Sequence, residues 1–304
     1  MTQAFLSLLP IALLGALLRA IMPGAEEARL ALNRLVLFAF LPALVFRTIM
    51  TCPMDATFWQ VPVTAAASSL AMVGAGFLVF HFLPISRATK GAMILAAAFG
   101  NVTYLGLPLL QGLFPGQTTE TATVAVLFEV MTSTLNLTLG SVIAIAYGTG
   151  EQITFRRTAL EALKLPPLWA LALALVWRAS GIPCPGFLLD GAGVMAASVS
   201  GMMILSLGMA LRFRTTPLLA LVIPVAGLKL FASPAVASLV AGTVGLSGLT
   251  RDLAVLEAAM PSQLLSFVIA SRFRLDEATL SAVIFGTTIV SLFTLPVIQA
   301  WLVR

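Results

Sequence analysis

Three ionisable side chains, Glu129, Lys229 and Glu257, lie inside long apolar runs, and two of the apolar runs are interrupted by residues that disturb a helix. The first interruption reads Phe99-Gly100-Asn101-Val102-Thr103-Tyr104-Leu105-Gly106-Leu107-Pro108, the second Ala258-Ala259-Met260-Pro261-Ser262-Gln263. Proline has no N–H and its ring opposes the carbonyl four residues back. Pro108 therefore frees the carbonyl of Tyr104, and Pro261 that of Glu257. Half-helices that start at such breaks present unpaired amides and a positive partial charge, which suits an anion. Gly100, Asn101, Pro108, Pro261, Ser262 and Gln263 are the candidate substrate contacts. Glu257, one turn before Pro261, is either a proton acceptor or a structural partner of Lys229. Lys229 either snorkels toward an interface or ties two helices together. Glu129 heads a stripe with Thr132, Ser133, Thr134, Asn136 and Thr138 that either lines a pathway or hydrogen-bonds neighbouring helices.

Catalytic chemistry has little to build on. His81 is the only histidine and stands at the end of an apolar run, and the two cysteines, Cys52 and Cys184, make neither a metal-ligand spacing nor a disulfide framework. No nucleophile with a base is found at depth, so an enzyme is not expected, nor is a metal or a cofactor. Asn101 and Asn136 fit the Asn-x-Ser/Thr pattern, but both fall inside spans, where glycosylation is implausible. The net charge of +5 comes from basic residues scattered singly between apolar runs, a distribution that reads as topology and not as a nucleic-acid surface.

The elements that must carry these residues are transmembrane helices. The chain is 60% hydrophobic and only 10% charged, against about a quarter charged in soluble domains. Apolar runs recur from end to end at the length that crosses a hydrocarbon core about 30 Å thick. They fall near 3–20, 30–48, 58–81, 90–113, 120–147, 163–181, 188–211, 217–242, 252–272 and 276–302. The first lacks a basic n-region and a small-residue cleavage site and reads as a span, not a cleaved signal peptide. Alternate connections hold Arg19, Arg29 and Arg34, then Arg87 and Lys90, then Arg156, Arg157 and Lys164, then Arg212 and Arg214, then Arg272 and Arg274. The other side holds only Arg47, Arg178, Arg251 and Arg304. The positive-inside rule makes the first set cytoplasmic and sets both termini outside. Five spans over 1–147 and five over 163–304, joined by a cytoplasmic connection at 148–162, run in opposite directions. Ala97-Ala98-Phe99-Gly100-Asn101 matches Ala258-Ala259-Met260-Pro261-Ser262 at an offset that also lays span one on six and three on eight. Inverted repeats of this kind are typical of secondary carriers, whose sites lie at paired helix breaks.

At these residues the sequence resembles the auxin efflux carrier family, which includes the plant PIN-formed carriers and bacterial malate and malonate permeases. Asn101, Gly106 and Pro108 match its Asn-x4-Gly-x-Pro signature. Asn33-Arg34 through Pro42, Ser206-Leu207-Gly208, Lys229 with Pro234, Ala258-Ala259-Met260-Pro261, Ala282-Val283-Ile284-Phe285-Gly286 and Thr294-Leu295-Pro296 are similar in order along the chain. The resemblance implies an all-α membrane protein of ten helices in two inverted five-helix repeats, with helices four and nine crossing at their breaks. Helices one, two, six and seven would form a scaffold, and three to five with eight to ten a moving transport domain. The family's site carries over to Asn101 and to Pro261 with Ser262. Gly100 stands where the plant carriers have proline, Ser262 where they often have glutamine, and the central connection is short. Those departures favour a bacterial-type carrier of a small dicarboxylate such as malonate or malate in the inner membrane. The expected partners are that anion, a proton or sodium ion as coupling ion, and membrane lipid; a homodimer stays open. The competing readings are a sodium- or proton-coupled carrier of another anion, similar to the bile-acid symporters, and a membrane sensor.

Overall fold

The computed structural model describes residues 2–53, 55–148, 166–210 and 219–302, and within them the chain is all helical apart from turns and one isolated bridge. In chain order the helices are α1 (Thr2–Ile21), α2 (Ala25–Thr51), α3 (Thr57–His81), α4 (Arg87–Ala98), α5 (Val102–Leu113) and α6 (Thr118–Tyr147). There follow α7 (Pro166–Ala179), α8 (Gly186–Ala210), α9 (Leu219–Ala226, Gly227–Ala232 and Ser233–Thr243), α10 (Gly248–Ala258), α11 (Leu265–Phe273) and α12 (Glu277–Leu302). Six of them, α2, α3, α6, α8, α9 and α12, are long and apolar enough to cross a membrane, and shorter apolar helices accompany them. The protein is a multi-helix membrane-spanning bundle. The central connection and the basic residues Arg156, Arg157, Lys164, Arg212, Arg214 and Arg304 lie outside the described residues.

Four helices widen into π turns, at Val36–Phe40, Val102–Gly106, Asn136–Gly140 and Gly227–Ala232. Three of these turns stop two residues before a proline: Pro42, Pro108 and Pro234. The carbonyl four residues back from each proline, at Phe38, Tyr104 and Leu230, lies inside the widened turn. Widening draws that carbonyl away from the proline ring, which would otherwise clash with it. Pro42 belongs to this group with Pro108 and Pro234. Pro10 and Pro224 sit within ordinary helix.

The helices form two compact units. One holds α1, α2, α7 and α8 with residues 103–126. Its tightest contact is between α1 and α8, where a Cβ placed on Gly208 would stand 2.0 Å from the Ala12 carbonyl oxygen and one on Gly15 2.3 Å from that of Leu205. The small residues let two backbones approach as membrane helices do when apolar burial gives no driving force of its own. Ser206 Oγ donates to Asn33 Oδ1 at 2.5 Å, joining α8 to α2. Arg178 donates to the carbonyls of Ile49 and Cys52, both at 2.6 Å, and so closes the C-terminal end of α2 from α7.

The other unit holds α3, α4 and α9 to α12 with the later part of α6. Its centre is α4, whose residues Ala92 to Ala98 are buried on every side, and α10, buried from Leu253 to Ala258. A helix apolar all round is a core helix, so both run within protein. At one end of the unit, Asp276 caps α12 by accepting from the Thr279 amide at 3.0 Å and its hydroxyl at 2.6 Å, and accepts from Thr89 of α4 at 2.8 Å. Burial pushes the Asp276 carboxyl up, but these hydrogen bonds outweigh it and hold the group below the ordinary aspartate range. The cap accordingly stabilises the fold above that range and is lost as pH falls through the lowered value.

The contact at Gly208 yields a prediction. Gly208→Ala adds a methyl group where a backbone carbonyl already stands, and overpacking of a tight contact costs about 1–3 kcal/mol. Thermal unfolding in detergent is expected to show a lowered midpoint for Gly208→Ala, while Gly116→Ala, where a Cβ meets nothing within 4 Å, should unfold like the wild type.

Candidate functional site

The chain is extended where α4 gives way to α5, with Phe99 at φ −114° and ψ 128°. There it meets the corresponding break between α10 and α11. Gly100 and Ser262 form an antiparallel bridge: the Asn101 amide donates to the Pro261 carbonyl at 2.7 Å, and the Gln263 amide donates to the Phe99 carbonyl at 2.9 Å. Each break thus supplies the backbone partners that the other lost. Four half-helix ends converge on this crossing. Those of α5 and α11 are N-terminal, where the first-turn amides have no intrahelical acceptor. Those of α4 and α10 are C-terminal.

The side chains of the second break are mostly spent on holding the crossing. Ser262 Oγ donates to the Ala96 carbonyl, near the C-terminal end of α4, at 2.7 Å, and Thr287 of α12 lies 3.2 Å from the same hydroxyl. The Ser262 amide donates to Thr287 Oγ1 at 3.4 Å. Gln263 reaches toward α6: its Nε2 donates to Glu129 Oε1 at 3.2 Å, and its Oε1 accepts from Asn136 Nδ2 at 2.7 Å. Asn136 Nδ2 also approaches Ser266 Oγ at 3.1 Å, and Ser133 bonds to the Glu129 carboxylate. Glu129, Ser133 and Asn136 of the polar stripe therefore fasten α6 to the crossing, whereas Thr134 and Thr138 bond to carbonyls of their own helix.

Lys229 enters from the π turn of α9. It is 2% exposed and does not snorkel. Its ammonium donates to the Ala258 carbonyl, the last of α10, at 2.5 Å and to Ser233 Oγ at 3.3 Å, while Ser233 itself donates to Ala258 at 2.9 Å. A cation at a helix C-terminus meets the negative end of the helix dipole. The ammonium also lies against Gly100, where a Cβ would stand 2.9 Å from Lys229 Cε and 3.0 Å from Nζ. Glycine at position 100 is what admits the lysine to the crossing. The sequence left Glu257 as either a proton acceptor or a structural partner of Lys229. Among the described residues no ion pair joins them, because the lysine is drawn to the carbonyl end of α10 and to Ser233. Glu257 is nonetheless within electrostatic reach of Lys229 and Glu129.

Among the described residues, three of those singled out from the sequence keep a buried polar end with no partner: Asn101, Glu257 and Thr132 of the α6 stripe. Asn101 is 1% exposed and Glu257 0%, yet neither polar atom of the Asn101 amide and neither carboxylate oxygen of Glu257 bonds to any protein group. Gly100, Asn101, Pro261, Ser262, Gln263, Glu257, Lys229 and Glu129 all belong to the α4–α10 crossing or its immediate supports. Pro108 does not; it stands about two turns along α5, directly after the π turn. Ser233, Ser266 and Thr287 were not singled out by the sequence. The i, i+4 spacing of Lys229 and Ser233 is a usable signal for the first, whereas an isolated serine or threonine in an apolar helix gives none.

Comparison with known proteins places these features in a family. The family model described as "Membrane transport protein" matches residues 2–299. An uncharacterized transporter of Methanothermobacter thermautotrophicus is 29% identical over 299 residues, covering 97% of this chain and 96% of that protein. An uncharacterized transporter of Methanocaldococcus jannaschii is 26% identical over 285 residues, covering 91% and 89%. A probable auxin efflux carrier component 5c of Oryza sativa subsp. japonica is 28% identical over 156 residues, 49% of this chain and 41% of that protein.

The hydrogen bonds of Ser262 predict a structural role. Ser262→Ala leaves the Ala96 carbonyl unsatisfied in a dry interior, at a cost of about 1–3 kcal/mol. A clear drop in the unfolding midpoint is expected; an unchanged midpoint would show that the hydroxyl is free for another task.

Proposed function

We propose that this chain, which belongs to the membrane transport protein family, carries a small organic anion across the membrane as a secondary active or facilitated transporter. Transport itself follows from the family, and the same assignment agrees with the absence of an expected catalytic centre. The finer reading is a dicarboxylate such as malonate or malate, bound at the crossing and moved by alternating access. The observation that carries it is Asn101. A buried amide with both polar atoms unpartnered is poised beside a lysine ammonium and two half-helix N-termini, a combination of donors that suits a carboxylate.

Further features support the architecture of this proposal. The crossing joins Gly100 to Ser262, residues from the two sequence segments that align between the halves, as two inverted five-helix repeats require. In this reading the helices α1, α2, α7 and α8 act as the scaffold and the others as the transport domain; the unit that holds α1, α2, α7 and α8 also holds residues 103–126, from helices given to the transport domain. Ten spans with an even number of crossings set both termini on one side, and the basic connections put that side outside a cell membrane such as the bacterial inner membrane.

Two experiments test the reading. Purified protein in proteoliposomes should take up labelled malonate or malate, with imposed pH and sodium gradients identifying any coupling ion. Asn101→Ala removes no intramolecular side-chain bond, so its unfolding midpoint should hold while transport falls at least several-fold, the consequence of losing a hydrogen bond worth about 1–3 kcal/mol. Wild-type transport in a well-folded Asn101→Ala protein refutes the site. For orientation, single cysteines in the 148–162 connection should be shielded from an impermeant maleimide in intact cells; labelling from outside would invert the topology.

A further inference from the structure

Resting on the organic-anion reading, we propose that Lys229 anchors a carboxylate of the transported anion and that Glu257 takes up one proton as the anion binds, so that each anion enters the crossing together with a proton.

The geometry starts with the donors of Lys229. An ammonium has three N–H groups. The Ala258 carbonyl and Ser233 Oγ receive two of them, and the ammonium lies against Gly100, the neighbour of Asn101. The remaining donor and the open Asn101 amide thus flank the same glycine, one charged and one neutral, both able to donate to a carboxylate. Arrival of an anion here completes the coordination of two buried groups at once.

Charge then decides what Glu257 must do. The charged groups within electrostatic reach of Glu257 are Lys229 on α9 and Glu129 on α6. The other helices packed against α10 are α3 and α12, whose ionisable residues, His81 and Glu277, stand at helix termini. Arg251, on α10 itself, is turned to Ser238 at 2.8 Å, about two turns before Glu257. Glu129 has its own donors in Gln263 and Ser133. Glu257 has none: its charge faces Lys229 without contact and without a hydrogen bond. With Glu257 ionised in the empty site, its carboxylate would offset the lysine's charge across that gap. Once a substrate carboxylate sits on Lys229, the offset is supplied by the substrate, and an ionised Glu257 becomes an extra buried negative charge beside Glu129. Burying an uncompensated charge is the costliest state available. A proton from the aqueous side neutralises it. For a dicarboxylate such as malonate the sum is two carboxylates and one proton in and one O–H bond formed on Glu257: the proton offsets the carboxylate on Lys229, and the second carboxylate adds one negative charge to the site. The anion and the proton then leave together, with the lysine again offset by Glu257.

The test is made on full-length protein in detergent with malonate as the probe. Calorimetric titration of the wild type in two buffers of different ionisation enthalpy counts the protons taken up on binding. About one per malonate is expected, and hence an affinity that weakens up to about tenfold per pH unit, over the range in which malonate stays fully ionised. Glu257→Gln should bind malonate with affinity that no longer follows pH, Glu129→Gln should keep the slope, and Lys229→Met should lose at least tenfold in affinity. The proposal is overturned if wild-type binding takes up no proton, if the slope survives in Glu257→Gln or vanishes in Glu129→Gln instead, or if Lys229→Met binds like the wild type. The proton count needs no variant, so a Glu257→Gln protein that fails to fold does not shield the idea. If the wild type binds neither malonate nor malate at any pH, the organic-anion reading itself fails, a result distinct from malonate binding without protons.

Discussion

A helix interrupted in hydrocarbon leaves backbone amides and carbonyls with nothing to bond, at several kcal/mol each. The structure depends on how that constraint is met at the crossing. Here the two interruptions serve as partners for one another: the amides of Asn101 and Gln263 meet the carbonyls of Pro261 and Phe99. Neither break would be tolerable alone. Ser262 satisfies the Ala96 carbonyl, Lys229 and Ser233 that of Ala258, and α4 and α10 are buried on all sides so that lipid does not reach the frayed ends. The packing of α3, α9, α11 and α12 around those half-helices follows from the same need. Gly100, Asn101, Glu129, Lys229, Glu257 and the second break all lie in one compact unit, so these groups keep their mutual geometry as that unit keeps its fold.

The second constraint is electrostatic. A lysine at depth costs at least about 2.5 kcal/mol on insertion scales unless it is paired, and the fold does not pair it with the carboxylate next in line. It sets the ammonium on the carbonyl end of α10, where the dipole contributes a fraction of a negative charge. That is weaker than a full ion pair, and the difference matters for function. A lysine locked to Glu257 would have its charge consumed by the fold, whereas a lysine held by a carbonyl and a hydroxyl retains attraction for an incoming anion.

Much of this was legible in the sequence because proline and glycine announce broken helices wherever they occur together at depth. Phe99-Gly100-Asn101 and Met260-Pro261-Ser262 marked the crossing, and hydropathy marked the helical runs. The pairing of side chains was not legible, because it depends on which helix faces which. Ser262 and Gln263 read as substrate contacts from their depth, yet their hydrogen bonds run to Ala96 and to Glu129 and Asn136. The glutamate and asparagine of α6 read as one more polar stripe, since nothing local says that Gln263 lies opposite. The π turns were hidden for a different reason: Pro42, Pro108 and Pro234 predict a disturbance, but not that the helix absorbs it by widening. At Lys229 that widening has a consequence, because the turn that accommodates Pro234 is also the one that carries the lysine to Gly100.

Sorting the buried polar groups by whether the protein satisfies them separates support from site. Ser262, Gln263, Asn136 Nδ2 and Lys229 have partners and contribute to cohesion. Among the described residues the amide of Asn101 and the carboxylate of Glu257 have none, nor do the hydroxyls of Thr132 and Thr294, but only Asn101 and Glu257 stand at the two breaks. An unsatisfied buried polar group costs about 1–3 kcal/mol, so the four atoms of these two side chains together cost on the order of 4–12 kcal/mol if nothing ever meets them. That rivals the whole stability of a typical domain, about 5–15 kcal/mol. A sequence selected for folding alone would replace both residues with apolar ones of similar size, which in this interior would be the more stable choice. Their presence is therefore an argument for a solute, and the chemistry of the two groups, an amide that can donate beside a lysine and a carboxyl that can accept a proton, says what kind.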